Sequence, residues 1–194
     1  MLLKNSFEVA QPPDTVWKFF QDIPGVAACL PGAELTEDLG DDKYRGRVGV
    51  SMGPVKLQFA GNAAVTVRDE AARRLCFDTS GADEKGRGQA AMLITADLVP
   101  VGRGTRVDLE QDLQLSGAAA QYGRGMISDV TAVMMRQFAT NMQHRIEAVE
   151  RGEDPASVAM AKPASGFSLG ASAMRMALMR VFRRFFLPYQ PNPS

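Results

Sequence analysis

Hydrophobic patterning along the chain predicts an α+β domain in which one long helix lies across a curved antiparallel sheet. Several segments alternate apolar and polar residues with a period of two, which is typical of strands with one buried and one wet face. A single long segment then repeats its apolar residues with a period of 3.6, as an amphipathic helix does. Such a helix finds its most economical packing on the concave side of the sheet. We therefore expect a helix-grip domain over residues 1–150.

The expected domain begins with one strand and two short helices. Residues 2–10 alternate well enough for the strand, which ends at a Gln-Pro-Pro sequence. Pro13-Asp14 then opens a helix, because proline is well placed in the first helical turn. A second short helix, over residues 23–30, is closed by Pro31-Gly32.

Strands follow from Tyr44 onward, separated by turns rich in glycine and aspartate. Another strand is expected over residues 88–99. The carboxylates of Asp83 and Glu84 fall in a predicted turn, where we expect them to be solvated. The positions expected on the shared inner face of the sheet are Tyr44, Val48, Val50, Met52, Val55, Leu57, Phe59, Ala63, Val65, Val67, Leu75, Phe77, Thr79, Thr105, Val107, Leu109 and Leu113.

The helical period returns after Gly125 and continues to the neighbourhood of Arg151. A sheet covered by this single helix leaves an apolar space between the two, and flexible methionine side chains suit an adaptable pocket. A filled core is the alternative interpretation. The helical stripe consists of Met126, Ile127, Val130, Met134, Phe138, Met142, Ile146 and Val149. The residues expected to line the cavity are Val48, Val50, Leu57, Phe59, Val65, Leu75 and Phe77 from the sheet, and Met126, Val130, Met134 and Phe138 from the helix.

Residue types that usually carry catalysis are scarce. The chain has one histidine, His144, so His-based triads and multi-histidine metal sites are excluded. The sequences Gly86-Arg87-Gly88 and Gly123-Arg124-Gly125 match neither a P-loop nor a dinucleotide fingerprint. Cys29 and Cys76 are isolated, which indicates structural thiols in a reducing compartment. We predict no catalytic residue and no metal site.

The charge distribution differs between the two parts of the chain. The whole chain has 22 basic and 22 acidic residues. Residues 151–194 hold six of the basic and two of the acidic ones, which leaves 16 and 20 for residues 1–150. An acidic body argues against nucleic acid as a partner. The N-terminal sequence has no long apolar segment of the signal-peptide type, so we expect a cytoplasmic protein.

The predicted C-terminal part consists of a flexible linker (residues 151–169), an amphipathic helix (170–187) and a disordered end (188–194). Four arginines make a membrane-crossing position of the helix too costly. We expect the helix to lie flat on an anionic bilayer. A core helix or a docking helix for a protein partner is the alternative. The expected membrane-contacting residues are Leu178, Arg180, Val181, Phe182, Arg183, Arg184 and Phe185.

Four segments carry a resemblance to a known family. They are FEVAQPPDTVWKFFQDIPGVAACLPGAE at 7–34, VGVSMGPVKLQFAG at 48–61, KGRGQA at 85–90 and YGRGMISDVTAVMMRQFATNM at 122–142. Together they resemble the CoxG family, which is associated with aerobic carbon monoxide dehydrogenase, and the block at 22–32 is the most specific piece. The resemblance covers residues 1–150 and implies a START-like, polyketide-cyclase-like helix-grip domain.

The resemblance implies an accessory protein without catalytic activity. Its family accompanies molybdenum hydroxylases such as carbon monoxide dehydrogenase, and is linked to membrane attachment of the enzyme and to carrying quinone. A bound menaquinone or ubiquinone would place its isoprenoid tail in the cavity, and no other cofactor is implied. The partners would be the hydroxylase and the inner face of the cytoplasmic membrane. A cyclase or hydrolase of the same superfamily, or a maturation factor for the hydroxylase, is the alternative.

Overall fold

The computed structural model describes residues 1–53 and 55–153. The predicted linker from residue 154 onward, the predicted helix 170–187 with its seven membrane-contacting residues, and the end 188–194 lie outside the described residues. Among the helices of the described part, none is long and apolar enough to cross a membrane.

The described chain forms one antiparallel sheet with helices on its concave side, which confirms the predicted helix-grip fold. The sheet has seven strands in the order β1-β7-β6-β5-β4-β3-β2. The elements are β1 (Leu2–Val9), α1 (Pro13–Gln21), α2 (Ile23–Cys29), β2 (Ala33–Gly40), β3 (Lys43–Met52), β4 (Val55–Asp69), β5 (Arg74–Asp83), β6 (Gln89–Val101), β7 (Gly104–Leu115), a 3₁₀ helix (Gly117–Gln121) and α3 (Arg124–Glu150).

The segment between α1 and β2 owes its conformation to a side-chain cap and two glycines. Asp22 caps α2, since its Oδ1 accepts a hydrogen bond from the Gly25 backbone nitrogen at 3.1 Å. A Cβ at Gly25 would lie 2.1 Å from Asp22 Oδ2. Gly32 has a φ of 75°, and a Cβ there would lie 2.6 Å from the Gly49 carbonyl oxygen. Within the block at 22–32, Gly25 and Gly32 therefore have little room for a side chain.

Two apolar clusters hold the helices to the sheet. The first lies between the sheet, α1, α2 and the C-terminal half of α3, and the second lies at the N-terminal end of α3. The first cluster is Val9, Val16, Phe20, Cys29, Leu75, Ala96, Leu98, Val107, Leu109, Phe138, Met142 and Ile146. The second cluster is Leu3, Met52, Leu57, Phe59, Ala119 and Ile127.

The strand β2 is absent from the sequence-based expectation. It is an edge strand, and only Ala33 and Leu35 among its residues are partly buried. Such a strand lacks the apolar alternation that identifies the others. A bulge between Val65 and Val67 causes a second difference. It turns Val67 outward, where it is 43% exposed, so the prediction that Val67 shares the inner face is wrong.

The expectation that Asp83 is solvated is also wrong, because the residue ends β5 in a buried ion pair. Asp83 is 4% exposed, and the Arg87 guanidinium donates to its carboxylate from both Nε and Nη2 at 2.8 Å. The backbone nitrogens of Gln58, Lys85 and Arg87 donate to it as well. The Arg87 hydrogen bond and these backbone donors hold the pKa of Asp83 well below its usual range. Arg87 of the GRG sequence thus has a structural role.

Candidate ligand-binding site

The middle of α3 packs less closely against the sheet than its two ends do. Ile127 in its second turn and Phe138 farther on are buried, but no residue of the helix between them is. The intervening residues include Val130 and Met134, which are partly exposed apolar side chains. A close-packed helix of this kind would bury one residue in every turn. Over these three turns the helix is packed less closely, since Val130 packs against the second cluster and Met135 against the first while both stay partly exposed.

The strands show the same opening at the same level. Val48 and Val50 of β3, Val65 of β4 and Phe77 of β5 occupy inward positions but remain partly exposed. Ile94, which is paired with Phe77, is partly exposed too. Apolar side chains on the concave face of a sheet would be buried if a helix packed directly on them. Accessible apolar surface therefore lies between the two clusters.

A row of glycines forms part of the sheet in this region. Gly46, Gly61 and Gly81 pair side by side across β3, β4 and β5. A Cβ at Gly61 would lie 1.9 Å from the Ser80 carbonyl oxygen, and one at Gly46 would lie 2.7 Å from the Glu34 carbonyl oxygen. The backbones can approach this closely only without side chains. The row also adds no side-chain volume to the space above the sheet.

A polar pair faces this mostly apolar region, in addition to Thr79, whose hydroxyl donates to the Met92 carbonyl oxygen at 3.1 Å. Gln111 of β7 is 4% exposed, and its Oε1 accepts a hydrogen bond from Asn5 Nδ2 of β1 at 3.0 Å. Leu3 pairs directly with Gln111 across the strands, and Leu109 pairs with Asn5. The pair was not predicted as part of the site. The alternation of β7 does contain the signal, because Gln111 falls on the same face as Leu109.

The predicted cavity residues divide between the two clusters. Leu57 and Leu75 are 2% and 0% exposed, so they lie behind the accessible side chains. Met126 is 45% exposed in the first turn of α3, and Met134 is partly exposed. Leu75, Phe138, Val65 and Phe77 belong to or pack against the first cluster, and Leu57, Phe59, Val48, Val50 and Val130 to the second.

The inner face carries little charge. Between the two clusters, the inward strand positions of the described chain hold no Asp, Glu, Lys, Arg or His. His144 is exposed near the end of α3. Burial raises the pKa of the Cys29 thiol to about 11; Arg145 lowers this pKa and Asp22 raises it by smaller amounts. The geometry therefore suits an apolar, uncharged ligand better than acid–base chemistry.

A family model and several solved structures match the chain. The family model described as CoxG, a subunit of carbon monoxide dehydrogenase, matches residues 6–147. No curated protein matches the chain in sequence.

Three solved structures illustrate the structural similarity. A conserved protein from Geobacillus kaustophilus is 21% identical, with a TM-score of 0.68 over 76% of this chain and 95% of that one. The Zhui aromatase/cyclase from Streptomyces sp. R1128 is 17% identical, with a TM-score of 0.56 over 79% and 99%. A START superfamily protein from Mycobacterium smegmatis is 15% identical, with a TM-score of 0.52 over 76% and 98%. At these identities the similarity shows the fold alone.

Proposed function

Because the chain belongs to the CoxG family of carbon monoxide dehydrogenase, we propose that it is an accessory protein that binds a hydrophobic ligand between the sheet and α3. The observation that carries this proposal is the partly exposed apolar surface under the middle of α3, flanked by two buried clusters. Apolar surface of this kind gains free energy when a ligand removes it from water, at about 25 cal/mol per Å².

The ligand in this proposal is a quinone, menaquinone or ubiquinone, and the partner is a molybdenum hydroxylase of the carbon monoxide dehydrogenase type. The family description supports the partner. The mostly apolar inner face, whose strand positions between the two clusters of the described chain carry no charged residue, supports a neutral hydrophobic ligand. The basic, Phe-rich sequence at 170–187 supports peripheral attachment to the inner face of the cytoplasmic membrane. The protein would then carry quinone between the bilayer and the enzyme.

An enzymatic role of the cyclase or hydrolase kind has less support. General acid–base chemistry needs titratable groups within reach of the substrate. The inward strand positions between the clusters of the described chain lack Asp, Glu, Lys, Arg and His. The similarity to the Zhui aromatase/cyclase concerns the fold and carries no catalytic group to this site.

Extraction of bound lipid tests the proposed function. The full chain is purified from cells together with its membranes, and the lipid retained after delipidating washes is identified by mass spectrometry. We expect a quinone at close to one molecule per chain. A soluble protein without a ligand cavity, purified in the same way, is the control for lipid that co-purifies non-specifically. Absence of enriched lipid above this control would contradict ligand binding.

A further inference from the structure

We propose that Gln111 and Asn5 form a polar anchor that selects a neutral ligand bearing a carbonyl oxygen. This inference rests on the proposed function, because it requires a hydrophobic ligand in the space under α3. It assigns a specificity-determining contact to two residues that are otherwise surrounded by apolar positions.

The two side chains meet on the concave face, at the edge of the sheet. Asn5 lies on the edge strand β1 and Gln111 on its neighbour β7, two residues along from the direct partner of Asn5. Their carboxamides are joined by the 3.0 Å hydrogen bond from Asn5 Nδ2 to Gln111 Oε1. This bond fixes the orientation of the Gln111 carboxamide. The anchor is therefore held in place before any ligand arrives.

Hydrogen-bond accounting leaves a donor on Gln111. A glutamine carboxamide has two N–H donors and one carbonyl acceptor, and the acceptor is used by Asn5. Within residues 1–53 and 55–153, Gln111 Nε2 donates to no protein acceptor, although the residue is 4% exposed. Nε2 does not count among the fully buried side-chain atoms without a partner, which in the described residues are represented by Arg47 Nε, so this donor keeps some access to the space beside it. A ligand that displaces water from this donor must replace the hydrogen bond, which a carbonyl oxygen does and a hydrocarbon does not.

Charge decides between classes of carbonyl ligand. A carboxylate that enters this region would lose its hydration, and the inward strand positions between the clusters of the described chain offer no cation to pair with it. A ketone, ester or quinone carbonyl is neutral and needs only the donor. The geometry therefore favours neutral carbonyl compounds over fatty-acid anions.

A pair of matched probes tests the anchor in the full chain. Menadione carries two ring carbonyls, and 2-methylnaphthalene has the same ring system without them. We expect Gln111→Met, which keeps the side-chain length but removes the donor, to raise the Kd of menadione about fivefold and to leave that of 2-methylnaphthalene within about twofold. Gln114→Met is the control, because Gln114 lies on the same strand and is exposed on the opposite face. An equal loss of affinity for both probes, or no loss of affinity for menadione, would overturn the proposed anchor.

The infrared spectrum of menadione bound to the wild-type protein provides a test that does not depend on a variant. We expect one carbonyl stretching band at lower frequency than in cyclohexane, because a hydrogen bond weakens the C=O bond. Bands unchanged from cyclohexane would overturn the proposal. The charge argument is tested with dodecanoate and methyl dodecanoate, of which the ester should bind more tightly. Tighter binding of the carboxylate would overturn the inference of a neutral ligand.

These outcomes separate the anchor from the proposed function. Equal binding of menadione and 2-methylnaphthalene to the wild type, without an effect of Gln111→Met, would remove the anchor and leave hydrophobic-ligand binding intact. Failure of both probes to bind the wild type would contradict the proposed function itself, and the anchor with it.

Discussion

Asp83 illustrates how a single side chain can close the end of the sheet. Its carboxylate joins the end of β5, the backbone of Gln58 in β4 and the turn that leads to β6. The Arg87 side chain extends the network, since its Nη2 also donates to the Lys56 carbonyl oxygen at 2.7 Å. The same turn is bonded to the 3₁₀ helix, because the Ala118 backbone nitrogen donates to the Arg87 carbonyl oxygen. The Asp83 carboxylate thus stabilises the turn that contacts the 3₁₀ helix, which precedes α3.

Replacing Asp83 with Asn is expected to lower the melting temperature by several degrees at pH 7, because Arg87 would lose its counter-charge. The pKa of Asp83 is lowered in the folded state, so its stabilisation is fully present above the unfolded pKa of about 4 and is lost as the pH falls towards the folded pKa. The difference in melting temperature between the wild type and Asp83→Asn, measured by calorimetry, should therefore become smaller below pH 4. Asp78→Asn, at an exposed position of the same strand, is the control. A melting-temperature difference that stays constant across this pH range would contradict a stabilising role of the Asp83 carboxylate.

The two cysteines should differ in reactivity. Burial raises the pKa of Cys29 to about 11, so its thiol stays protonated at pH 8 and its 2% exposure restricts access. Cys76 is partly exposed on the outer face of β5. We expect iodoacetamide at pH 8 to label Cys76 well before Cys29 in the native protein, as read by peptide mass spectrometry. Both should react in urea. Equal native labelling rates would show that the α2 region opens readily.

At the scale of the element, α3 combines two functions along its length. Its C-terminal half packs Phe138, Met142 and Ile146 into the first cluster, and its start contributes Ile127 to the second. The middle, without buried residues, is free to face a ligand. A helix fixed at both ends can leave space beneath its centre without losing its position on the sheet.

Met134→Trp tests this division of α3. The larger side chain should fill the space under the helix and weaken binding of a hydrophobic fluorescent probe by about tenfold, with little change in melting temperature. Val149→Trp is the matched control, because Val149 lies on the same helix and is 53% exposed. Unchanged probe affinity in folded Met134→Trp would place the ligand elsewhere.

Period-two and period-3.6 patterns predict most elements because burial follows them. They fail where burial is absent or the period breaks: β2 is an exposed edge strand, and the bulge beside Val65 reverses the facing of Val67. Asp83 and Gln111 were missed for another reason. Each is a polar residue buried by a specific partner, Arg87 or Asn5, and pattern analysis assigns polar residues to the surface unless the partner is known.

At the scale of the whole molecule, the proposed function requires the tail at 170–187 to dock on a membrane. Changing Arg180, Arg183 and Arg184 together to Glu in the full chain should strongly weaken sedimentation with anionic liposomes, because each arginine near the surface contributes about 1 kcal/mol. The same three residues changed to Lys preserve the charge and serve as the control. High salt should weaken the wild type only in part, since the apolar side chains are not screened. If the Glu variant and the wild type sediment equally with liposomes, membrane docking through these arginines is contradicted, and a docking segment for a protein partner becomes the favoured interpretation.

The glycine row has a consequence for how ligand choice can diverge among relatives. A methyl group at Gly61 would collide with the Ser80 carbonyl oxygen, so this part of the sheet tolerates no graded increase in bulk. Met134 and Val130 are only partly buried, so substitutions there can change the volume under α3 in smaller steps. Homologues that carry shorter or longer molecules should therefore differ in the middle of α3 while they keep glycine at Gly46 and Gly61.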